Sequence, residues 1–372
     1  MLVERLGVLG FRNLAEAELV LEPQVNLVWG PNGAGKTNVL EALYMALAGR
    51  SCRTASDRET IAFGEPLARA EAVVASGAER RSFQCAVSRA DGRRHQVDGA
   101  AAGPEHLMLR PALAVFMPDR LVLVKGPPAA RRAHLDRFCA ALWPARVEGR
   151  RRYARALAQR NALIGRIRAG EAAEAGLDPW DAELGAAGVE LMAVRAEAAE
   201  RIAAPFATAA AELGLTGDAE VQYRPRSEAG DAAVLARELA ERRESDLARG
   251  YTGHGPHLDE LALRFNCRAL RRYGSQGQQR VGLLALLFAE HEALVADGRP
   301  PPLMLLDDVT SELDPERRRL LCERLEAGRG QALITAATRE SLPASTPRNE
   351  IALRDGRPIA PLAKSETDTA AA

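Results

Sequence analysis

The 372-residue sequence lacks an excess of charge of either sign, because 50 lysines and arginines balance 50 aspartates and glutamates. A balanced total excludes any argument for nucleic-acid binding from net charge, so only local clusters of basic residues can indicate it. Aromatic residues make up only 4% of the chain, whereas hydrophobic residues make up 47%. Since alanine and leucine supply much of that apolar content, we expect abundant helices.

Cysteine is also scarce, with five scattered residues, no two of which have the spacing of metal ligands. An odd, scattered set excludes a disulfide framework and is typical of free thiols in a reducing cytoplasm. The sequence has no signal peptide and no apolar run long enough to span a bilayer. We therefore expect a cytoplasmic protein with no membrane segment, and the length favours two lobes.

Lysine occurs only three times, and one lysine lies in a glycine-rich segment, the phosphate loop. The loop consists of Gly30, Pro31, Asn32, Gly33, Ala34, Gly35, Lys36 and Thr37. It fits the pattern of Gly, four residues, Gly, Lys and Ser or Thr, between a predicted strand (25–29) and a predicted helix (38–47). The backbone amides and the helix N-terminus of such a loop bind phosphate. We expect Lys36 to reach the outer phosphates of ATP and Thr37 to bind Mg²⁺.

Two adjacent acids follow a second apolar segment near the other end of the chain. Residues 303–306 are predicted to form a buried parallel strand, and the acidic pair, Asp307 and Asp308, follows directly. Acids at the carboxyl end of such a strand face the crevice in which ligands bind. We expect Asp307 to bind Mg²⁺ together with Thr37, and Asp308 to be the catalytic group that polarises the attacking water.

Two further motifs follow the pattern of ABC-type ATPases. The signature segment consists of Ser275, Gln276, Gly277 and Gln278, and it precedes an apolar stretch predicted as a helix. A serine hydroxyl, a glycine amide and a helix N-terminus can form a second anion site, although Ser275 could equally be an ordinary N-cap. Ser311 and Asp314, just after the acidic pair, resemble the D-loop of the same superfamily.

The order of these motifs resembles that in the RecF family, which consists of SMC-like ABC-type ATPases. The segment Phe11-Arg12-Asn13-Leu14 and residues 255–257 with Asp259 match the same family, and the resemblance covers about residues 1–355. It implies an α/β fold, a P-loop ABC/SMC-type ATPase head with an inserted α-helical lobe. We predict the head from 1–130 and 250–362, the helical lobe with a basic face from 131–249, and a disordered tail from 363–372.

The sequence departs from the superfamily pattern at two places. ABC-type ATPases have a glutamine between the phosphate loop and the signature, but Leu113–Phe116, in the corresponding region, contains none. ABC transporters have a histidine after the strand that follows the acidic pair, but here the segment ends at Thr335 without one. Thr335 could take part of that role.

The resemblance implies an ATP-dependent DNA-binding clamp for replication and recombinational repair. ATP with Mg²⁺ would drive homodimerisation, with the signature segment of one subunit contacting the ATP of the other, and hydrolysis would be slow and DNA-dependent. Family members bind double-stranded and gapped DNA at single/double-strand junctions, and help RecO and RecR load RecA onto DNA coated with single-strand binding protein, supporting the SOS response. The alternatives are the ATP-binding subunit of a transporter, an ATPase fused to a nuclease, and a clamp that binds ATP without hydrolysis.

A cluster of arginines between residues 131 and 168 is the candidate DNA-binding surface. The residues proposed for contact with DNA are Arg131, Arg132, Arg150, Arg151, Arg152 and Arg155. Arginines at this density can neutralise phosphates and release counterions. The same pattern is also typical of a solvated helix face, or of ion pairs with the acidic stretch at 171–183. Because no base-reading motif is visible, we expect contacts to the DNA backbone.

Overall fold

The computed structural model describes residues 1–103, 106, 109–117, 121–328 and 330–359, so the predicted tail lies outside the described residues. The chain forms two compact units. The head unit comprises the described residues of Met1–Asp119 and Pro300–Ala372, and the helical unit comprises those of Arg120–Arg299. The predicted head range of 250–362 is therefore longer than the structural unit, because residues 250–299 pack within the helical unit.

Within the described residues, the head unit contains two six-stranded sheets. The antiparallel sheet has the order β2-β1-β4-β5-β6-β7, with β1 (Leu2–Leu9), β2 (Ala17–Val20), β4 (Leu67–Ser76), β5 (Glu79–Ser88), β6 (Gly92–Val97) and β7 (Ala100–Ala101). The mostly parallel sheet has the order β15-β14-β3-β13-β12-β8, with β3 (Val25–Trp29), β8 (Leu113–Phe116), β12 (Leu303–Leu306), β13 (Ala332–Ala336), β14 (Arg348–Arg354) and β15 (Arg357–Ile359). Only β15 runs antiparallel to its neighbour.

The central strands of the parallel sheet are buried, as the apolar runs in the sequence predict. Every residue of β12 and β13 is buried, and β12 pairs with β8 on one side and β13 on the other. β3 lies between β13 and β14. The carboxyl ends of β3, β13 and β12 therefore meet at one edge of the sheet, where the phosphate loop and the acidic pair begin.

The two helices of the head unit are α1 (Lys36–Ala48) and α10 (Pro315–Ala327) among its described residues. α1 follows the phosphate loop and packs against β4, β5 and β13, so it contacts both sheets. Its side chains Leu40 and Leu43 are fully buried in a core shared with Phe11, Phe83 and Leu305. The helix that the phosphate loop precedes is thus held rigidly by packing on both sides.

The helical unit is built around one long helix, α5 (Asp178–Glu212), which packs against α4, α6 and α9. Its other helices are α2 (Val122–Lys125), α3 (Pro128–Leu142), α4 (Val147–Arg168), α6 (Ala232–Glu241), α7 (Arg243–Arg249), α8 (Leu270–Tyr273) and α9 (Gln276–Ala296). It also contains a small antiparallel sheet of β9 (Ala219–Arg224), β10 (Glu260–Phe265) and β11 (Arg268–Ala269). The predicted helical range thus includes the strand β9, which pairs with β10.

Candidate nucleotide-binding site

The backbone of the phosphate loop needs glycine at positions where neighbouring atoms approach closely. A Cβ atom on Gly30 would lie 2.0 Å from the carbonyl oxygen of Leu353. Gly35 has a φ of 101°, and a Cβ atom there would lie 2.8 Å from Oδ1 of Asn13. The loop is therefore fixed in a conformation that larger residues cannot adopt, and it leads directly into α1.

Lys36 is folded along the phosphate loop. Its Nζ donates hydrogen bonds to the carbonyl oxygens of Gly30 (2.8 Å) and Pro31 (3.0 Å). Burial lowers the pKa of Lys36, and the nearby carboxylates of Asp308 and Asp307 partly oppose that effect. Phosphate groups bound at the loop would favour the charged ammonium further, because an opposite charge stabilises the protonated form.

Thr37 and Asp307, which are 270 residues apart in the chain, meet in the structure. The Thr37 hydroxyl donates to the two carboxylate oxygens of Asp307 at 2.9 and 3.0 Å. Burial raises the pKa of Asp307, whereas hydrogen bonds from Thr335 and Thr37 and the charge of Arg53 act in the opposite direction. A carboxylate and a hydroxyl are hard oxygen donors, so this pair fits Mg²⁺, which takes one or two carboxylates with phosphate oxygens and water.

Thr335 connects the two members of the acidic pair. Its hydroxyl donates to Oδ1 of Asp307 at 2.7 Å and accepts a hydrogen bond from the backbone N–H of Asp308 at 2.9 Å. Asp308 has a φ of 48°, in the left-handed region that non-glycine residues rarely adopt. Backbone strain of this kind persists only where surrounding contacts enforce it, and it is frequent at functional sites. Thr335, which lies within β13, thus orders both acids.

A buried glutamate on α1 is a feature of the site that sequence reasoning did not identify. The side chain of Glu41 is fully buried and receives a bidentate pair of hydrogen bonds from Arg12, at 2.9 and 3.1 Å. Arg53 donates to Glu41 at 3.1 Å, and the Ser51 hydroxyl donates at 2.6 Å. In the sequence, the one sign of this role is that Glu41 is an acid among the apolar residues of α1 after Asn38. Arg12 and Arg53 are partly exposed beside the phosphate loop, where their charge favours anions.

The segment containing Arg12 also contacts the phosphate loop directly. The side-chain amide of Asn13 donates to the carbonyl oxygen of Gly33 at 2.8 Å, and Asn38 donates to Oδ1 of Asn13 at 2.7 Å. Arg12 has a φ of 53°, so the chain turns sharply there. The match of residues 11–14 to the RecF family is therefore explained by a contact that shapes the phosphate loop.

The signature segment belongs to the helical unit and begins α9. Ser275 is the N-cap of a capping box, in which its hydroxyl accepts from the backbone N–H of Gln278 and the Gln278 side chain accepts from the backbone N–H of Ser275. Ser275 and Gln276 are exposed, and Gly277 is half-buried. The ordinary role of Ser275 as a helix cap is thus present, and the exposed helix N-terminus is also open to an anion.

The D-loop residues Ser311 and Asp314 extend from the acidic pair. The Ser311 hydroxyl donates to the carbonyl oxygen of Asp308 at 2.9 Å. Asp314 is the N-cap of α10, where its carboxylate accepts from the backbone N–H of Arg317 at 2.9 Å. This connection means that a partner contacting Ser311 would act on the backbone of Asp308.

Most of the arginines proposed for DNA contact are engaged in ion pairs. Arg131 is buried, pairs with Glu260 at 2.6 and 2.7 Å, and also donates to three backbone carbonyls. Arg132 donates to the carbonyl oxygen of Asp259 at 2.8 Å. These contacts make Arg131 a structural residue rather than a surface for phosphate, because its guanidinium is buried against the half-buried Glu260 and three backbone carbonyls.

The remaining arginines of the cluster are more exposed but also have acidic partners. Arg150 pairs with Asp136 at 3.0 Å, and Arg152 pairs with Glu183 at 3.1 Å. Arg151 and Arg155 pair with the same Glu148, at 3.6 and 2.6 Å. The basic face is therefore smaller than the sequence suggested, since carboxylates from α3 and α5 as well as from α4 neutralise it.

Within the described ranges, the helices are all too short or too polar to cross a lipid bilayer.

A family model described as an AAA domain matches residues 5–124. The chain is 38% identical to the DNA replication and repair protein RecF of Anaeromyxobacter sp. (strain Fw109-5), over 96% of this chain and 98% of that protein. It is 37% identical to the protein of the same name from Heliobacterium modesticaldum (strain ATCC 51547 / Ice1), over 90% and 92%.

Solved structures show the same fold. The structure of the recombination mediator protein RecF with ATP in the RecFOR pathway has a TM-score of 0.85 at 25% identity, covering 96% of each chain. An SMC head bound to the C-terminal winged-helix domain of ScpA has a TM-score of 0.60 at 17% identity, covering 96% of each chain. The predicted α/β fold of a P-loop ABC/SMC-type ATPase is thereby confirmed.

Proposed function

Since the chain belongs to the RecF family of DNA replication and repair proteins, we propose that it is an ATP-dependent clamp that binds DNA during recombinational repair. The observation that carries the proposal is the contact of Thr37 with Asp307, which joins the phosphate loop to the acidic pair. Two halves of a nucleotide site from opposite ends of the chain meet at the carboxyl edge of the parallel sheet, where such sites bind ligands.

In this proposal the residues of the head unit divide the work of ATP binding and hydrolysis. The amides of residues 30–37 and the ammonium of Lys36 bind the phosphates. Thr37 and Asp307 would hold Mg²⁺, which would supply positive charge next to the phosphates. Asp308 accepts a proton from the attacking water, and Thr335 keeps its backbone in the required position.

The signature segment completes the site from a second copy of the chain. Ser275 and Gly277 at the N-terminus of α9 present a hydroxyl and helix amides to the γ-phosphate held by the partner. A two-fold dimer places two such composite sites in one interface, because a two-fold interface is self-complementary. ATP then favours the closed dimer by its additional contacts there, and hydrolysis removes that preference.

The DNA-binding step uses backbone contacts, and hydrolysis is slow and depends on DNA. Arg151 and Arg155, with Arg132, Arg150 and Arg152, supply the basic groups, whereas Arg131 is excluded by its burial. The preferred DNA is gapped or double-stranded at a junction with a single strand. A solved RecF structure at 25% identity is described as part of the RecFOR pathway, which supports action with RecO and RecR. In this proposal the action takes place in the cytoplasm, upstream of RecA, single-strand binding protein and the SOS response.

The test uses Asp308→Asn, with Asp91→Asn in an exposed hairpin turn as the matched control. We would measure oligomeric state by sedimentation and affinity for a gapped duplex by anisotropy, with and without ATP. The expected result is that Asp308→Asn with ATP forms a stable dimer that retains DNA, whereas the control behaves as the wild type. ATP-driven dimerisation without DNA affinity would contradict the clamp and leave only the ATPase.

A further inference from the structure

An open groove lies between α4 and the first turns of α5. Its volume is about 690 Å³, which falls within the roughly 300–1,000 Å³ of sites that hold small ligands. The lining combines basic, amide and aromatic side chains with small apolar ones, among them Arg152, Arg155, Ala156, Gln159, Pro179 and Trp180. All of these residues belong to the helical unit, and none takes part in the proposed ATP site.

One wall of the groove is a single face of α4. Four lining residues lie at positions i, i+3, i+4 and i+7 of this helix, which places them on the same side of it: Arg152, Arg155, Ala156 and Gln159. Arg155 and Gln159 are exposed, and Arg152 is half-buried. This face therefore presents two guanidinium groups and an amide around one small side chain.

The opposite wall, at the start of α5, contains an indole ring. Trp180 is half-buried, because it packs against the apolar core of the helical unit and also lines the groove. Trp143 is different, since the guanidinium groups of Arg146 and Arg201 lie 4.5 and 5.6 Å from its ring centre. Among the residues that the structure describes, no arginine or lysine covers the ring of Trp180 in this way. The ring of Trp180 is thus open to a ligand in the groove.

A buried ion pair fixes the two walls relative to each other. Arg160 follows Gln159 in α4 and is fully buried. Its Nε donates to Oδ1 of Asp181, which follows Trp180 in α5, at 2.7 Å. A second buried carboxylate, that of Asp246, accepts from Nη1 of the same arginine at 2.7 Å. The groove is therefore preformed, which lowers the entropic cost of binding a ligand there.

This combination of groups fits an unpaired nucleotide of single-stranded DNA. A nucleobase stacks on an aromatic ring, and basic side chains in the same groove bind the phosphates of the strand. In a duplex each base is stacked between its neighbours, so a ring inside a groove reaches only a base that is unpaired. Stacking of this kind tolerates different bases, in agreement with the absence of a base-reading motif.

The carboxylates beside the groove are compatible with this ligand. Arg152 pairs with Glu183 at 3.1 Å, and Arg155 pairs with Glu148 at 2.6 Å. All four side chains are substantially exposed, and exposed ion pairs contribute little to stability, so phosphate can replace the carboxylates. Glu183 also lines the groove, where its carboxylate can accept hydrogen bonds from the N–H groups of a base.

We propose that the groove between α4 and α5 holds one unpaired nucleotide of single-stranded DNA, with its base stacked on Trp180. Arg152 and Arg155 bind the phosphates next to that base. The inference rests on the proposed function, because it assigns the contact by which a DNA-binding clamp distinguishes a gap or junction from a continuous duplex. Trp180 is a binding residue and takes no part in ATP hydrolysis.

The test measures affinity by fluorescence anisotropy for three probes, all with Mg²⁺ and ATP present. The probes are an oligothymidylate, the same strand with abasic sites in place of its thymines, and a blunt duplex. For Trp180→Leu the affinity for oligothymidylate is expected to fall roughly tenfold, whereas the other two affinities stay unchanged. Because stacking releases no counterions, the slope of log affinity against log salt also stays unchanged. Trp143→Leu, at a ring already covered by arginines, is the matched control and changes none of the affinities.

A second variant, Trp180→Phe, keeps an aromatic ring in the groove and removes the indole fluorescence. It is expected to retain most of the affinity for oligothymidylate. In the wild type, oligothymidylate should quench tryptophan fluorescence that Trp180→Phe lacks, and the abasic strand should not. This readout does not depend on the stability of the Leu variant, whose thermal midpoint is measured beside that of the wild type.

Several outcomes would overturn the inference. One is equal affinity of the wild type for the oligothymidylate and the abasic strand, and another is unchanged oligothymidylate affinity in Trp180→Leu. If that variant weakens all three probes equally, or only self-association, the groove is a structural element or a protein interface and the inference is wrong. In each case duplex binding by the wild type leaves the proposed function standing, whereas a wild type that binds none of the probes overturns that function too.

Discussion

Lys36 is distinguished by the scarcity of its residue type. A chain that uses arginine almost everywhere has a lysine in the phosphate loop, where the proposed site calls for a compact ammonium beside the phosphates. Its two hydrogen bonds to loop carbonyls show that the ammonium is already placed at the loop. The sequence could predict this placement because the motif is local, with Lys36 and its partners separated by at most six residues.

Lys36→Ala is expected to weaken ATP binding by about a hundredfold or more, since the variant loses a charged contact to phosphate. The measurement is ATP affinity by calorimetry. Lys125→Ala is the matched control, because Lys125 is exposed and lies in the helical unit. Equal ATP affinity in the two variants would remove Lys36 from the binding site.

Asp307→Asn is expected to raise the thermal midpoint of the protein at pH 7 in the absence of nucleotide and metal. Because burial raises the pKa of Asp307 above its ordinary 3.8, the stability contribution of this group is greatest below pH 3.8. That contribution is lost as the pH rises through the raised pKa, so at neutral pH the charged carboxylate opposes folding. Asparagine has no such charge.

The same substitution should remove the stabilisation that Mg²⁺ with ATP confers on the wild type, because the metal loses its carboxylate. Thermal melts at several pH values, with and without Mg²⁺-ATP, give both readouts. A variant that melts below the wild type at pH 7 without ligand would contradict the inference that the buried carboxylate of Asp307 opposes folding when charged.

The residues that sequence reasoning missed are those whose partners come together only on folding. Glu41 pairs with Arg12, 29 residues away, and with Arg53, 12 residues away, so no spacing rule predicts the cluster. The arginines of α4 likewise pair with carboxylates on other helices as well as on α4 itself. The sequence alone does not show which of several carboxylates an exposed arginine will pair with in the folded protein.

At the scale of elements, the predictions succeeded where a pattern was strong and continuous. β12 is an uninterrupted apolar run and β3 is apolar except for Asn26, a pattern that is typical of central parallel strands. The short strand β9 was missed, because its six residues lie in a region where helical signals dominate. The end of the predicted helical lobe forms two short helices, α6 and α7, which meet at Arg242.

Two variants of Ser275 separate its role as the N-cap of α9 from its proposed role at the dimer interface. Ser275→Ala loses the cap and should destabilise the helical unit by about 1 kcal/mol, while ATP still produces dimers. Ser275→Trp loses the same cap and adds a bulky side chain at the interface, so ATP should bind the monomer without dimerisation. Sedimentation velocity with ATP distinguishes the two variants. A Trp variant that dimerises normally would rule out the composite site.

At the scale of the molecule, positive and negative charges balance, so the DNA binding that we propose depends on a local basic face. Arg151 and Arg155 are two exposed members of the cluster that share Glu148 as their acidic partner. The double variant Arg151→Gln/Arg155→Gln should reduce the slope of log affinity against log salt by about 2 for double-stranded DNA. Arg237→Gln/Arg319→Gln, at two other exposed ion-paired arginines, is the matched control. An unchanged slope would move the DNA contacts to another surface.

The position of β3 between β13 and β14 has a consequence for synthesis of the protein. The strand that carries the phosphate loop leaves the ribosome early, but both of its neighbours follow about 300 residues later. At typical rates of translation, that delay is about 15 to 60 s. During this interval the nascent chain has an apolar strand without partners and no nucleotide site. A chain that ends before β12 therefore has the phosphate loop but lacks both the acidic pair and the strands that flank β3.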